Sequence, residues 1–353
     1  MSHRWAEALQ AHWWRPRASL AMRLLQPLSM LYGALAAGHR AWQRWRARHR
    51  AAPLGGCPVI VVGNLVVGGA GKTPTVIALA EWLRREGWRP GVVSRGYGRI
   101  DGDAIVDLGA DTPAAAAGDE PLLIHRRTGV PVVVGRDRIA AARALLDHHR
   151  EVDILLSDDG LQHHRLPRDV EIVVFDDRGA GNGLMLPAGP LRQPLPAHLP
   201  AQMQVLYNAT RPSTRLPGTV ARRALAGAMP LDAWWQGRRE AVQPLDALQG
   251  RLLLAAAGMG DPERFFGMLE AAGLTIQRLP LPDHASFAPL PWPADTSEVL
   301  VTEKDAVKLP PERVGATRVW VVALDFALPP EFTAALRQRL PDPADRATPS
   351  LPR

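Results

Sequence analysis

The stretch "CPVIVVGNLVVGGAGKTPTVIALAEWLRR", residues 57 to 85, constrains the chain more than any other. A β-branched apolar run ends in Gly-Asn, a turn holding Gly68, Gly69 and Gly71 follows, and a helical pattern starts at Lys72. Val76, Leu79, Ala80 and Leu83 are spaced to give that helix one inward face. Strand, glycine turn and helix in this order frame a phosphate site. The backbone N–H groups from Val66, Val67, Gly68, Gly69, Ala70 and Gly71 sit where a helix begins and face an anion. Lys72 then reaches the terminal phosphates of a nucleotide, and the Thr73 hydroxyl serves Mg²⁺. Pro74 is tolerated in a first helical turn. The match to G-x-x-x-x-G-K-[ST] departs at one place, Val66, which stands at the first glycine position.

Such a turn needs an acid at the end of a neighbouring strand. "DILLSDDG" (153 to 160) supplies one: Ile154, Leu155 and Leu156 form a buried run that carries Asp158 and Asp159 to the carboxyl edge of a parallel sheet, where they hold or orient the Mg²⁺ shell. Alone, Asp-Asp-Gly reads as a solvated turn. "GVVS" (91 to 94), "VPVVV" (130 to 134) and "VEIVVF" (170 to 175) read as further strands, and "RIAAARALLDHH" (138 to 149) as a helix between two of them. That alternation predicts an α/β fold, a P-loop doubly wound and mostly parallel sheet.

A chain of 353 residues is long enough for two lobes. After a proline-rich bridge, "RLLLAAA", "LTIQRLPL", "EVLVTEKD" and "RVWVVALDF" read as strands and "DPERFFGMLEAAG" as a helix, a second, smaller α/β domain. The expected division is a basic N-terminal segment at 1–50, a P-loop domain at 51–208, a bridge at 209–245, the smaller domain at 246–340 and a disordered tail at 341–353. The single cysteine, Cys57, excludes an intramolecular disulfide and a Cys-rich zinc site, and fits a reducing compartment.

Residues 1 to 50 hold nine arginines against one acid, Glu7, which exceeds the whole chain's formal net charge of +7. The body is therefore near neutral, and the charge gives no reason to expect nucleic acid as a partner. The same segment carries Trp5, Trp13, Trp14, Trp42 and Trp45, a pairing of tryptophan with arginine that suits a membrane interface. Its least polar stretch, residues 24 to 38, contains Pro27 and is shorter than the roughly 20 apolar residues of a spanning helix. It lacks the order of a signal peptide. Leu28, Leu31, Leu35 and Trp42 make an apolar stripe at helical spacing, while Arg40, Arg44 and Arg48 recur on another face. This predicts an amphipathic helix lying in a membrane surface, each arginine adding on the order of 1 kcal/mol near anionic lipid. The alternative is a helix packed on its own protein.

A P-loop does not name its acceptor. "GNLVVGGAGKTP", "SRGYGR" (94 to 99), "GDEP" (118 to 121), "DDGLQHHRLPRD" (158 to 169), "LPAGPLR" (186 to 192), "PDH" (282 to 284) and "TEKDAVK" (302 to 308), in that order, resemble the motif set of the tetraacyldisaccharide 4′-kinase family from about residue 15 to about residue 325. The resemblance implies a kinase that moves the γ-phosphate of ATP, with Mg²⁺, to the 4′-hydroxyl of a tetraacylated glucosamine disaccharide 1-phosphate in lipid A assembly. It implies a peripheral place on the cytoplasmic face of the inner membrane.

It also implies that Asp119 acts as base on the sugar hydroxyl with help from His284. Read without it, Asp119 before Glu-Pro is an ordinary helix N-cap. A carboxylate sharing a proton with an imidazole deprotonates an alcohol as its bond to phosphorus forms. The two are expected on facing walls of a cleft between lobes. Arg95, Arg99, Arg136, Arg138, Gln162, His163, Arg165 and Arg168 lie in the matching loops. Among them Arg95, Arg136, Arg138, Gln162 and His163 are the candidates for the acceptor, since guanidinium groups pair with a phosphate; each also reads as a solvated loop residue. Lys304, Asp305 and Lys308 belong to the late motif with no chemistry assigned. Gln193 stands where the family pattern has glutamate, which leaves Asp158, Asp159 or Asp176 to supply the missing charge.

One rival class is a membrane-associated P-loop ATPase that works as a positioning switch. Such proteins carry a lysine before the paired glycines, and Val67 occupies that place. A soluble small-molecule kinase is the other rival.

Overall fold

The computed structural model describes residues 9–49 and 54–341. The chain forms two compact units and passes between them more than once. The first takes the chain up to Ser94, then Asp137–Ala221, then the chain from Leu328; the second takes Arg95–Arg136 and Arg222–Ala327. This division differs from the contiguous lobes expected, because the excursion that contains Asp119 joins the second unit. One physical reason is an ion pair between residues far apart in sequence. Arg127 Nη1 donates to both oxygens of the buried Glu303 carboxylate, at 2.7 and 2.6 Å.

Six parallel strands build the sheet of the first unit, in the order β2 (Pro90–Ser94), β5 (Ile154–Asp158), β1 (Val59–Gly63), β6 (Val170–Asp176), β7 (Met203–Asn208) and β8 (Thr219–Val220). Every residue of β1, β2, β5, β6 and β7 is buried, as a parallel sheet covered on both faces requires. The register sets Val62 of β1 opposite Asp158 of β5, so the acid arrives where β1 turns into the glycine loop. The strands and the helix foreseen around that loop are all present.

Helix α1 (Gln26–His49) belongs to this unit and is held by polar contacts along one side. Ser29 Oγ donates to the Met185 carbonyl at 2.9 Å and accepts from Ala188 N at 3.1 Å. Tyr32 Oη donates to the Arg192 carbonyl, and Gln43 Oε1 accepts from His164 N. The apolar stripe is on the other side: Leu28, Leu31, Leu35 and Trp42 are 52%, 55%, 67% and 48% exposed. The helix is thus docked by its polar side with its leucines facing outward. Arg44 is exposed and Arg40 half-buried. Trp5 lies outside the described residues, as does the tail after Pro341. Among the described residues no helix is long and apolar enough to cross a membrane.

The second unit holds an antiparallel pair, β3 (Val106–Asp107) with β4 (Val132–Val134), and a five-stranded sheet. That sheet runs β11 (Thr275–Pro280), β10 (Leu252–Ala257), β12 (Glu298–Thr302), β13 (Arg318–Ala327), β9 (Arg222–Pro230), with only β9 antiparallel to its neighbour. Phe265, Phe266 and Leu269 of the helix Pro262–Ala271 pack with Leu253, Leu300 and Trp320 in its core.

Candidate functional site

In the first unit, helix α2 (Lys72–Arg85) begins directly after the glycine turn, with Gly71 as its N-cap at φ 84° and ψ 30°. This left-handed conformation favours glycine, and a Cβ here would also overlap the Asn208 side chain. No side chain caps α2, so its first N–H groups are left to an anion. The departure at Val66 has a structural account. Val66 is 1% exposed and bridges Leu191 in antiparallel fashion, an extended position that needs no glycine. Val67 N donates to the Pro190 carbonyl at 2.9 Å, Arg192 N donates to the Leu65 carbonyl at 2.8 Å, and Asn64 Nδ2 ties back to the Gly68 carbonyl at 2.9 Å. The turn is therefore fixed from outside by the 184–192 loop.

Arg178 braces the turn from another direction. Its guanidinium donates to the Gly69 carbonyl at 2.6 Å and to Asp176 Oδ2 at 2.9 and 2.6 Å, and it lies 4.3 Å from the Trp14 ring. Asp176 is thus committed to an arginine, and the enclosed Gln193 Oε1 has no partner among the described residues. Neither Arg178 nor Asn208 was singled out in the sequence; an arginine two residues beyond a strand end carries no periodic signal.

Lys72 Nζ lies 3.6 Å from Asp159 Oδ1. Asp159 has a positive φ of 50°, which bends the chain just after the strand. Asp158 is 1% exposed and its Oδ2 accepts from Ser94 Oγ at 3.0 Å. Among the described residues no group of three or more His, Cys, Asp or Glu forms a metal cage. A hydroxyl on Thr73 and a carboxylate on Asp158 suit Mg²⁺, which binds through one or two carboxylates together with phosphate oxygens and water.

In the second unit, helix α3 (Asp119–Thr128) speaks against the cap reading of Asp119. Gly118, at φ 86°, is the N-cap and no side chain caps the helix, so Asp119 is not used as a cap. A Cβ on Gly118 would press on the Tyr97 carbonyl. The freed carboxylate meets His284: Nδ1 donates to Asp119 Oδ2 at 3.0 Å. His284 is itself in the left-handed region, φ 61°, a conformation worth about 1–3 kcal/mol of strain that a surrounding framework must hold. Its neighbour Asp283 provides one hold, accepting from Lys304 Nζ at 2.9 Å, and the Tyr97 ring lies 5.4 Å from the imidazole.

Lys308 Nζ stands 3.5 Å from the same Asp119 Oδ2 and donates to Asp305 Oδ1 at 3.0 Å. Burial pushes the Asp119 carboxyl up, but the His284 hydrogen bond and the Lys308 charge outweigh it, so the group ionises below the usual carboxylate range. Burial likewise opposes the charge on Lys304, yet Glu120 and Asp283 hold its pKa above the ordinary lysine value. The arrangement is a carboxylate kept ionised, joined to an imidazole, able to take a proton. Asp119 and His284 do not face each other across two lobes, as expected; they belong to one unit. The pairing, between residues 165 apart, is the one the family resemblance implied; its place within one unit is what differs.

The acceptor candidates divide between the two units. Arg95 and Arg136 belong to the second unit and are exposed, Arg136 pairing with Asp103 at 3.3 Å. Arg138, Gln162 and His163 belong to the first; Arg138 is 2% exposed and opens the helix Arg138–His148. Arg168 donates to the carbonyls of Leu161 and His163 and to Glu171, which makes it a brace of its own loop. Arg99 is buried and donates to the Gly102 carbonyl.

Comparison with known proteins gives a consistent result. The family model described as tetraacyldisaccharide-1-P 4′-kinase matches residues 21–341. The tetraacyldisaccharide 4′-kinase of Methylibium petroleiphilum is 56% identical over 335 residues, 94% of this chain and 92% of that protein. The one from Leptothrix cholodnii is 53% identical over 324 residues, 90% of this chain and 91% of that protein. The crystal structure of LpxK from Aquifex aeolicus in complex with ATP superposes with a TM-score of 0.70 at 25% identity, covering 91% of this chain and 99% of the other.

Proposed function

The chain belongs to the tetraacyldisaccharide-1-P 4′-kinase family, and from that premise we propose how its residues share the transfer of the ATP γ-phosphate to the 4′-hydroxyl of a tetraacyldisaccharide 1-phosphate in lipid A biosynthesis. The glycine turn cradles the triphosphate with the N–H groups from Gly68 to Gly71, the expected Val67 N–H being taken instead by the Pro190 carbonyl, and Lys72 neutralises charge on the terminal phosphates. Thr73 and Asp158 would hold Mg²⁺, with Asp159 beside them; when bound, the ion supplies further charge neutralisation at the phosphates. Asp119 takes the proton of the 4′-hydroxyl as that oxygen bonds to phosphorus, and His284 orients the carboxylate and shares the proton. The observation that carries this assignment is the 3.0 Å hydrogen bond between His284 and a carboxylate that caps no helix. Arg95, Arg136, Arg138, Gln162 and His163 are proposed to meet the phosphorylated sugar. The test is transfer of labelled γ-phosphate from ATP to the acylated disaccharide and to its deacylated form. Transfer to the acylated acceptor at least about tenfold faster is expected, since each buried methylene adds about 0.8 kcal/mol; no transfer to either refutes the reading.

An acceptor with four acyl chains lies in a membrane, and α1 supports a peripheral place there. Its outward Leu28, Leu31, Leu35 and Trp42 would enter the interface, with Arg44 at anionic headgroups on the cytoplasmic face of the inner membrane. The double substitution Leu31→Glu, Leu35→Glu is expected to weaken co-sedimentation with anionic vesicles by about tenfold or more, given about 1.5–3 kcal/mol per buried leucine. Unchanged co-sedimentation would remove α1 from the membrane. The rival reading as a positioning ATPase is disfavoured by the family itself, and Val67 lacks the lysine such a switch uses.

A further inference from the structure

The dyad does not stand alone. Lys308 is 7% exposed and Asp305 0%, a cation and a carboxylate enclosed beside Asp119. Asp305 is fully committed: its Oδ2 accepts from Gly258 N at 3.0 Å and from Thr302 Oγ1 at 2.7 Å, while its Oδ1 takes Lys308. Thr302 ends β12 and caps the short helix Glu303–Ala306 that carries Asp305, so the anchor is built into the sheet. The Lys308 ammonium also lies 5.0 Å from the Phe287 ring centroid, which closes its remaining side. An ion pair this enclosed is no stability device by default, because desolvation offsets most of its attraction.

The geometry at Asp119 suggests what it does instead. His284 Nδ1 and Lys308 Nζ both converge on one oxygen, Oδ2, at 3.0 and 3.5 Å. We infer that Lys308, anchored by Asp305, is a positioning residue for the transfer: with His284 it occupies Asp119 Oδ2 and so presents Oδ1 to the acceptor hydroxyl. This rests on the reading of Asp119 as base. In the step itself the hydroxyl proton passes to Oδ1 as the new O–P bond forms, and the bond from the γ-phosphorus to the bridging oxygen breaks to release ADP. The titratable groups around Asp119 are His284, Lys308 and Lys304, with Glu120, Asp283 and Asp305 behind them. Removing Lys308 subtracts the ammonium that lies 3.5 Å from the carboxylate, so Asp119 would protonate at higher pH.

Lys308→Met, which keeps the stem against Phe287, is expected to lower kcat about 10- to 100-fold with KM for both substrates within about twofold, and to move the acid limb of kcat/KM upward by about one pH unit. Lys308→Arg restores the charge and should return the acid limb. Because Lys308→Met leaves Asp305 without its cation, the double variant Lys308→Met, Asp305→Asn serves as the folding control: its thermal midpoint should approach the parent's while kcat stays low. A wild-type kcat in Lys308→Met overturns the inference. So does a loss of activity with an unmoved acid limb, or recovery of kcat in the double variant. Asp119→Asn run in parallel separates the two readings. If it turns over at the parent rate, the base assignment itself fails; if it is slow while Lys308→Met is normal, only the role of Lys308 falls.

Discussion

Lys72→Ala is expected to lower kcat by about a thousandfold, the scale on which a preorganised charge at a reacting centre acts. Lys72 is the first residue of α2, directly after the left-handed Gly71, so its side chain leaves the place where the unpaired N–H groups converge. It pairs with Asp159 at 3.6 Å, an acid 38% exposed, and a partly solvated contact of that kind contributes little to stability. The variant should therefore fold normally and fail at chemistry. Arginine is a poor substitute, because a planar fork does not replace a compact ammonium reaching between phosphates. Steady-state transfer kinetics check the result together with a thermal melt. A rate within tenfold of the parent would mean that the glycine turn does not hold the phosphates.

Asp119→Ala is expected to slow transfer by about 10²- to 10⁴-fold, the range of a general base, while nucleotide binds as before. The second half follows from the contacts of each group: the Asp119 carboxylate engages His284 and Lys308, whereas Lys72 pairs with Asp159. A nucleotide titration and single-turnover kinetics on the same preparation test both halves; a parent-like rate would remove Asp119 from the chemistry, and lost nucleotide affinity would place it elsewhere in the mechanism. The carboxyl has a depressed pKa, so the stability it lends is fully present above the ordinary value of 3.8 and is lost as pH falls through its lower folded value. Acid unfolding of the parent should accordingly begin below that of Asp119→Ala.

How much of this could be read from the residues alone depends on the distance over which each feature is written. β1, the glycine turn and α2 are continuous in sequence, and an unbroken apolar run, glycine placement and helical spacing declare them. Asp158 was legible because a short apolar run delivers it, and the register with Val62 shows why that run mattered. The stripe on α1 was legible as a periodicity, but which way it faces was not: Ser29, Tyr32 and Gln43 decide that, through partners in the loops at 164 and 185–192. Asp119 illustrates the limit. Its sequence neighbours fit a cap equally well, and only the family pattern named it; the structure adds that Gly118 caps in its place. The excursion of 95–136 into the second unit is written in the buried pair of Arg127 with Glu303, which no local pattern encodes. Lys308 was visible as a motif residue and silent about its contacts.

The N-terminal stretch has a practical side for anyone preparing this enzyme. Trp13 Nε1 donates to the Pro187 carbonyl, Ser29 and Tyr32 engage the same loop, and that loop holds Leu65 and Val67; Trp14 stacks on the arginine that grips Gly69. Cutting away the greasy leader to obtain a better-behaved sample would thus also loosen the nucleotide pocket from behind. A preparation trimmed in that way would report weak ATP affinity as though it were native. Swapping the outward leucines for polar residues and leaving the length intact is the sounder route to a tractable sample.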